Sequence, residues 1–425
     1  MKQITYPPRS QWTEICRRPA INSEGLYPMV QAMFEAIRTD GDRAIQRYSL
    51  QFDHLDISEF KVDPAAIREA VKSVPETLKS AIQLAASNIR TFHAQQQEKV
   101  QIVETMPGVS CWRESRAIER VGIYVPGGSA PLFSTVLMLG IPAQLAGCSE
   151  IILCTPANAT AEVAGEILYA AQLVGIQQIY RIGGIQAIAA MAFGTETVPQ
   201  VDKLFGPGNQ YVTAAKQLVQ QYGIAIDMPA GPSEVLIIAD QTANPAFVAA
   251  DLLAQAEHGP DSQVILLSDQ DELIKQTLEA LSQQLALLPR SAIAQAALQN
   301  SRAVLLEDMD ECMEFSNQYA PEHLILAVEN ARARSKSIRN AGSVFLGHYT
   351  CESAGDYASG TNHTLPTNGF AKAYSGVSLD SFLKKITFQE IDQEGIQHIG
   401  PAIMQMAEAE QLMAHSRAVS IRLAH

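Results

Sequence analysis

Two residues that can bind a metal ion, Gln255 and His258, stand three positions apart just before Gly259-Pro260. This spacing places both side chains on one face of a helix, and the Gly-Pro pair indicates that the helix ends there. The pattern is consistent with half of a metal site. It also fits a histidine that only stabilises the negative end of the helix dipole, and glutamine is an uncommon zinc ligand.

A carboxylate and an imidazole are adjacent in the segment Ala320-Pro321-Glu322-His323-Leu324. Both side-chain types can act as general acids or bases. Neighbouring side chains of an extended chain point to opposite sides, so the two need not touch. The pair therefore fits separate acid and base roles near one substrate, and it fits equally a surface glutamate beside a structural histidine.

Two further regions carry candidates for ligands or for acid–base groups. Asp356 and His363 lie in a polar, glycine-rich segment that follows a predicted strand, and such loops often carry function. A predicted C-terminal helix, Met404–Arg422, carries Glu410 and His415, which are separated by about 140° around the helix axis. The helix residues are also typical of a solvated surface.

Glycine-rich turns occur at three predicted strand ends, in residues 122–128, 183–186 and 206–209. None of them completes the GxGxxG fingerprint of dinucleotide-binding proteins. Such a turn before a helix still presents backbone N–H groups to an anion, and three of them fit a ligand cleft along a parallel sheet. Each turn alone is also explained by a tight connection between a strand and a helix.

The elements that would position these residues alternate between strand and helix. The predicted strands are Val121–Val125, Glu150–Cys154, Gln178–Ile182, Val201–Phe205, Glu234–Ala239, Gln263–Leu267, Ala303–Leu306, Leu324–Ala327 and Ser343–Leu346. This order predicts parallel sheets with helices on their faces. We expect an α/β fold of two incomplete Rossmann-like parallel-sheet domains, with a small N-terminal segment and a mainly helical C-terminal arm.

Composition limits the class of protein. The chain has 425 residues, 47% of them hydrophobic and 18% charged, which is ordinary globular material with an ample core. A net charge of −14 argues against binding to nucleic acid or to an anionic membrane. The six cysteines form no CxxC pair, and the N-terminus lacks an apolar signal segment, so we expect a cytoplasmic protein with reduced thiols.

An uncharged stretch, residues 121–149, is long enough to cross a membrane. It contains Pro126, Gly127, Pro131 and Pro142, which are expected to divide it into a short strand, a turn and a buried helix. We therefore predict core structure here.

Taken together, these segments resemble histidinol dehydrogenases, and the resemblance runs nearly from end to end. Its firmest anchors are VGIYVPGGSAPLFSTVLM, FGPGNQYV, DMPAGPSEVLIIAD, DLLAQAEHGPDSQVILL, APEHL and ESAGDYASGTNH. Members of that family oxidise L-histidinol to L-histidine with two NAD⁺, the last step of histidine biosynthesis. The resemblance implies the same reaction here.

The resemblance also implies residue roles. One Zn²⁺ per subunit would be held by Gln255, His258, Asp356 and His415. The substrate would contact Ser233, Gln255, His258, His323, Asp356, His363, Glu410 and His415. NAD would contact Tyr124, Gln186 and Asn209. His323 would be the general base, Glu322 would activate water for the second oxidation, and histidinal would stay bound between the two oxidations.

A homodimer with exchanged C-terminal arms is implied as well, with Glu410 and His415 given to the other subunit. The implied division of the chain is an N-terminal segment (1–25), a discontinuous first domain (26–123 and 235–376), a second domain (124–234) and a dimerisation arm (377–425). Two positions depart from the family pattern. Cys351 stands where proline is common, and Gln411 stands where glycine is common.

Other functions remain open from the residues alone. A dehydrogenase of the same fold acting on another amino alcohol or polyol is one, and a zinc hydrolase that needs no nicotinamide is another. The three glycine-rich turns disfavour the hydrolase. A non-catalytic regulator that binds NAD or zinc is disfavoured by the complete set of acid, base and ligand candidates.

Overall fold

Parallel strand pairing organises most of the chain. The computed structural model describes residues 1–19, 24–127, 131–229 and 231–424. The strands in these ranges are β1 (Lys2–Thr5), β2 (Val103–Met106), β3 (Val109–Ala117), β4 (Arg120–Tyr124), β5 (Glu150–Thr155), β6 (Gln178–Arg181), β7 (Lys203–Phe205), β8 (Ala225–Ile226), β9 (Glu234–Ala239), β10 (Gln263–Ser268), β11 (Arg302–Leu305), β12 (His323–Ala327), β13 (Ser343–Leu346) and β14 (Leu383–Ile391).

Helices connect these strands and cover their faces. They are α1 (Arg9–Ile15), α2 (Tyr27–Asp40), α3 (Asp42–Tyr48), α4 (Pro64–Ser73), α5 (Glu76–Ala94), α6 (Phe133–Ala146), α7 (Gly165–Leu173), α8 (Gly184–Phe193), α9 (Gln210–Val219), α10 (Pro245–Ala256), α11 (Asp271–Leu285), α12 (Ser291–Gln299), α13 (Met309–Tyr319), α14 (Ala331–Arg334), α15 (Glu352–Tyr357), α16 (Gln393–Ala409) and α17 (Met413–Leu423). Among the described residues, no helix is long and apolar enough to cross a membrane.

The two parallel sheets confirm the predicted fold class. One has six strands in the order β1-β11-β10-β9-β12-β13, and the other has five in the order β6-β5-β4-β7-β8. The central strand β9 is buried at every position, as expected for a parallel strand covered on both faces. The uncharged stretch forms β4 and the buried helix α6, as predicted. Gly128, in the first glycine-rich turn, lies outside the described residues.

The sheets do not follow the predicted domain boundaries. β1 is an edge strand of the six-stranded sheet, paired with β11, and is not part of a separate N-terminal segment. The boundary at 123/124 divides β4, whose neighbours β5 and β7 are in the five-stranded sheet. Helices α2 and α5, placed by prediction with the six-stranded sheet, pack on α8 and α6 of the other. Periodicity predicts a helix, but it does not tell which sheet the helix covers.

A third, antiparallel sheet of strands β14-β3-β2 was not predicted from the sequence. β14 begins the C-terminal arm and pairs along its full length with β3. A signal was available, because Pro107-Gly108 between β2 and β3 is typical of a turn, and Thr387 and Phe388 favour a strand. The arm is thus attached to the body of the same chain by strand pairing before its helices begin.

The predicted C-terminal helix is wrong in one respect, since it is two helices. α16 ends at Ala409, and Glu410 caps it. Gln411 then has φ +61°, a left-handed conformation that a continuous helix does not contain. A glycine would meet this requirement without strain.

Cys351 precedes α15 with φ −75° and ψ 156°, values that proline adopts readily. We predict that Cys351→Pro raises the midpoint of thermal unfolding by about 1–2 °C, because proline restricts the unfolded chain without changing the folded one. Cys351→Ala is the matched control, since it removes the thiol and leaves φ free. A lower midpoint for the proline variant than for the alanine variant would contradict the prediction.

Candidate active site

A cavity of about 520 Å³ opens between the two parallel sheets. The five-stranded sheet contributes the loops that follow the C-terminal ends of β4 and β7. The six-stranded sheet contributes the opposite ends, where β9 and β12 begin. Eight of the twelve predicted site residues line this one cavity: Asn209, Ser233, Gln255, His258, Glu322, His323, Asp356 and His363.

The other four predicted residues do not line the cavity. Tyr124 and Gln186 are buried, and the Tyr124 hydroxyl accepts a hydrogen bond from the Gly184 N–H at 3.1 Å. The Gln186 amide donates to the Asp53 carboxylate at 3.1 Å. Glu410 and His415 lie on the exposed surface of the C-terminal arm. Within one chain, therefore, the structure does not bring the arm to the other candidates.

Glu322 and His323 approach each other although they are sequence neighbours. The distance from Glu322 Oε2 to His323 Nδ1 is 3.7 Å, and both side chains are buried. Ala320, at φ 55°, ends α13 in a left-handed conformation, so the chain turns sharply before β12. The Glu322 carboxylate also accepts a hydrogen bond from the Glu234 N–H at 2.8 Å. The pair is thus a positioned acid–base unit.

Buried negative charge controls the protonation of this pair. Burial opposes the charged form of His323, but the carboxylates of Glu322, Glu352 and Asp356 outweigh burial and raise the pKa of His323 to about 10. Burial raises the pKa of Glu322 to about 8, although His323 acts in the other direction. Because the charge of each group shifts the pKa of the other, the two groups titrate as one unit.

The candidate metal ligands come from the C-terminal end of α10, the turn that follows it and the short helix α15. His258 lies two residues beyond the end of α10, so the prediction that it shares a helix face with Gln255 is wrong; a turn bonds the His258 N–H to the Gln255 carbonyl at 3.2 Å. Donor atoms of His258, Asp356 and Glu352 lie within 4.8 Å of one another. Both amide atoms of the fully buried Gln255 are without a partner among the described residues.

Sequence reasoning missed Glu352. It stands four residues before Asp356, a spacing that places two carboxylates on one face of a helix, and α15 covers both. That spacing was the available signal.

His363 is held in its neutral form. Its Nδ1 lies 2.8 Å from the carbonyl oxygen of Asp356, which can only accept a hydrogen bond, so Nδ1 carries the proton. Nε2 then accepts from the Thr135 hydroxyl at 3.1 Å. Burial lowers the pKa of His363, which agrees with this arrangement.

Comparison with known proteins decides the family. The sequence model of the histidinol dehydrogenase family matches residues 16–423. A histidinol dehydrogenase of Bacteroides thetaiotaomicron is 56% identical over 423 residues, covering 100% of this chain and 99% of the relative. One from Escherichia coli K12 is 50% identical, covering 97% and 95%. The crystal structure of histidinol dehydrogenase from Elizabethkingia anophelis superposes with a TM-score of 0.98 at 59% identity, covering 100% and 98%.

The chain belongs to the histidinol dehydrogenase family. Membership confirms the resemblance seen in the sequence motifs and the prediction of an oxidoreductase.

In this member of the histidinol dehydrogenase family, a buried ion pair supports the Glu322–His323 unit. Arg18 donates two hydrogen bonds to the Glu234 carboxylate, at 2.7 and 2.6 Å, and its guanidinium lies 3.8 Å from the centre of the Tyr319 ring. Glu234 is the first residue of β9, and its backbone carries the N–H that binds Glu322. The ion pair thus fixes the strand end to which Glu322 is bonded.

A second buried ion pair fixes the glycine-rich loop after β7. Lys216 and Asp227 approach to 2.5 Å, and their side chains are almost fully buried. Lys216 donates to the Gly206 carbonyl at 2.7 Å, and Asp227 accepts from the Gly206 N–H at 2.8 Å. Gly206 has φ +121°, and a Cβ there would lie 2.0 Å from the Tyr124 carbonyl oxygen, so only glycine fits.

We predict that Arg18→Met lowers the free energy of unfolding by about 3–5 kcal/mol, because it leaves the buried Glu234 charge without a partner. The matched control is Arg17→Met. Arg17 pairs with Glu14 on the surface, where both side chains are mostly exposed, so its loss is expected to cost less than about 1 kcal/mol. Urea unfolding followed by circular dichroism measures both. Equal losses would contradict a supporting role for the Arg18–Glu234 pair.

Proposed function

We propose that this protein is a zinc- and NAD-dependent enzyme that oxidises L-histidinol to L-histidine through bound L-histidinal, the last step of histidine biosynthesis. One observation carries the proposal. The acid–base pair Glu322–His323 faces the donor set of Gln255, His258 and Asp356 inside one cavity. The named activity of relatives that match over the whole length supports it. A cytoplasmic location fits a biosynthetic enzyme.

The donor set fits zinc. It offers an imidazole nitrogen and a carboxylate oxygen, which are usual zinc ligands, and the amide oxygen of Gln255, which is a less common one. Gln255 carries two buried amide atoms without partners among the described residues, a costly arrangement that a bound cation would relieve. Gln255, His258 and Asp356 would hold the ion, and His415 of the partner subunit would complete the protein ligands.

The other wall of the cavity fits the phosphates of a dinucleotide. The N-terminus of α9 and the loop of Gly206 and Gly208 line it. The side-chain oxygen Oδ1 of Asn209 caps α9, since it accepts hydrogen bonds from the N–H groups of Tyr211 and Val212, so the side-chain N–H₂ group is the part left for NAD. The other proposed NAD contacts are Tyr124, the last residue of β4, and Gln186, in the first turn of α8.

The reaction divides between the two members of the pair. A bound Zn²⁺, held by Gln255, His258 and Asp356, would supply a positive charge that orients the substrate, and NAD⁺ would supply the hydride acceptor for each of the two oxidations. His323 takes the hydroxyl proton in the first oxidation. Glu322 then takes a proton from the water that adds to the bound aldehyde, while His323 gives its proton to the carbonyl oxygen; the product is the gem-diol, and the neutral His323 acts as base again in the second oxidation. Ser233, His363 and Glu410 of the partner subunit would position the substrate.

His323 can act as a base only when it is neutral at working pH. The neighbouring carboxylates alone raise the pKa of His323 to about 10, and Asp356 Oδ1 lies 3.5 Å from its Nε2. Neutralising the charge of Asp356 removes part of this attraction and lowers the pKa of His323. The same carboxylate that binds the cation would therefore couple metal binding to the activation of the base.

Exchange of C-terminal arms between two chains would complete the site. Within one chain, no described residue of the arm lines the cavity. The arm also exposes large apolar side chains, an arrangement that favours contact with another protein surface. They include Met406 (67% exposed), Met413 (61%), Ile421 (50%) and Leu412 (45%).

We predict that the wild-type protein forms about two NADH per histidinol consumed, because the aldehyde stays bound for a second hydride transfer. Glu322→Gln is expected to lower turnover by about 10²–10⁴-fold, since it removes the base that activates water. Glu329→Gln is the matched control, an exposed glutamate just beyond the other end of β12. Absorbance at the NADH band gives the ratio. One NADH with aldehyde released by the wild type would refute the four-electron reaction.

We also predict that two inactive variants restore activity when mixed. His258→Asn and His415→Asn each remove one proposed zinc ligand. If the arms are exchanged, a mixed dimer contains one site with both ligands intact, so unfolding and refolding an equal mixture is expected to recover about a quarter of wild-type activity. Each variant refolded alone is the control. An inactive mixture containing mixed dimers would show that His415 does not act across subunits.

A further inference from the structure

Glu352 is a buried carboxylate that the proposed mechanism does not use. It is the first residue of α15, and it is 1% exposed. Its Oε2 has no hydrogen-bond partner within the described part of the chain. A buried carboxylate oxygen without a hydrogen-bond partner is costly, and a bound ligand would relieve this cost.

The surroundings of Glu352 identify the kind of ligand. Its carboxylate lies within 4.8 Å of donor atoms of both His258 and Asp356. Those two residues line the cavity, whereas Glu352 is behind the cavity wall. The Glu352 carboxylate would therefore contact a bound cation from the protein interior. The side of the cation that faces the cavity would stay free for substrate nitrogens.

Backbone bonding holds Glu352 in register with the other donors. The backbone N–H of Glu352 bonds to the carboxylate of Asp251. Asp251 stands one turn before Gln255 on α10, so α10 and α15 are joined beside the donor set. This bond fixes the position of α15, which carries Glu352 and Asp356, relative to α10, which carries Gln255.

Charge balance favours the same assignment. Gln255, His258 and His415 are neutral ligands, so Asp356 alone would leave a divalent cation with one uncompensated charge in a buried site. A second carboxylate from Glu352 makes the ion and its ligands neutral overall, which reduces the cost of burying the charge.

We propose that Glu352 is a ligand of the divalent cation when substrate is absent, so that one chain supplies Gln255, His258, Glu352 and Asp356. The ion is then bound before histidinol or His415 of the partner subunit arrives. This inference rests on the proposed zinc site and adds to it a ligand from the same chain.

The test uses full-length protein freed of metal, and Zn²⁺ alone as the probe, with neither histidinol nor NAD. Competition with a chromophoric chelator gives the zinc affinity of each variant. Glu352→Gln is expected to lower it at least about 10-fold. Glu257→Gln is the matched control, because it makes the same change beside His258 outside the donor cluster, and it is expected to retain wild-type affinity.

Folding is checked separately by the thermal midpoint of each metal-free variant. Glu352→Gln is expected to keep or raise this midpoint, because a neutral amide costs less to bury than a carboxylate whose Oε2 has no hydrogen-bond partner among the described residues, while the upward shift that zinc causes becomes smaller. If Glu352→Gln lowers the metal-free midpoint strongly, Glu352→Asp replaces it in the affinity comparison, since it shortens the reach of the carboxylate and keeps its charge.

The outcomes separate this inference from the function on which it rests. Absence of zinc binding by the wild type would overturn both. Zinc binding that His258→Asn abolishes and Glu352→Gln leaves unchanged would overturn only the role of Glu352. If His415→Asn lowers the zinc affinity and Glu352→Gln does not, the fourth protein ligand comes from the partner subunit. That result would also overturn the role of Glu352.

Discussion

Negative charge buried around one imidazole is the constraint on which the site depends. Glu322, Glu352 and Asp356 lie near His323, and none of them is well exposed to solvent. A buried cluster of carboxylates is stable only if cations and N–H donors compensate its negative charge. The start of β12, the whole of α15 and the turn after α10 are arranged so that these groups meet. At the start of β9, Arg18 likewise compensates the buried negative charge of Glu234.

The two parallel sheets face the cavity with opposite ends of their strands. The five-stranded sheet uses the C-terminal ends of its strands, where ligands of α/β proteins usually bind. The six-stranded sheet uses the N-terminal ends, where Ser233, Glu322 and His323 are found. The glycine-rich loop after β7 and the Glu322–His323 pair can therefore face each other across one cavity, with each supported by its own core. Separate cores allow the two walls to be built from different kinds of residue.

Much of this could be predicted from the sequence, because its signals are local. Apolar runs predicted β9 and β12, and spacing with a Gly-Pro stop placed Gln255 and His258 near each other. Contacts between distant segments could not be predicted. Arg18 lies 216 residues from Glu234, and nothing in either segment specifies the pair. The strand β14 of the arm was not predicted, because its charged residues obscured the alternation of polar and apolar side chains. His258 lies outside α10 because the helix ends before the Gly-Pro pair that was taken to mark its end.

The Lys216–Asp227 pair has a consequence for the rate at which a ligand is exchanged. Both backbone polar groups of Gly206 are already bonded to this pair, so the loop takes its final shape when the chain folds. A ligand that binds the loop therefore meets a surface that needs no ordering, and it loses little conformational entropy there. Association then proceeds at the rate of productive encounter. Differences in affinity among ligands that bound this loop would then appear mainly as differences in residence time.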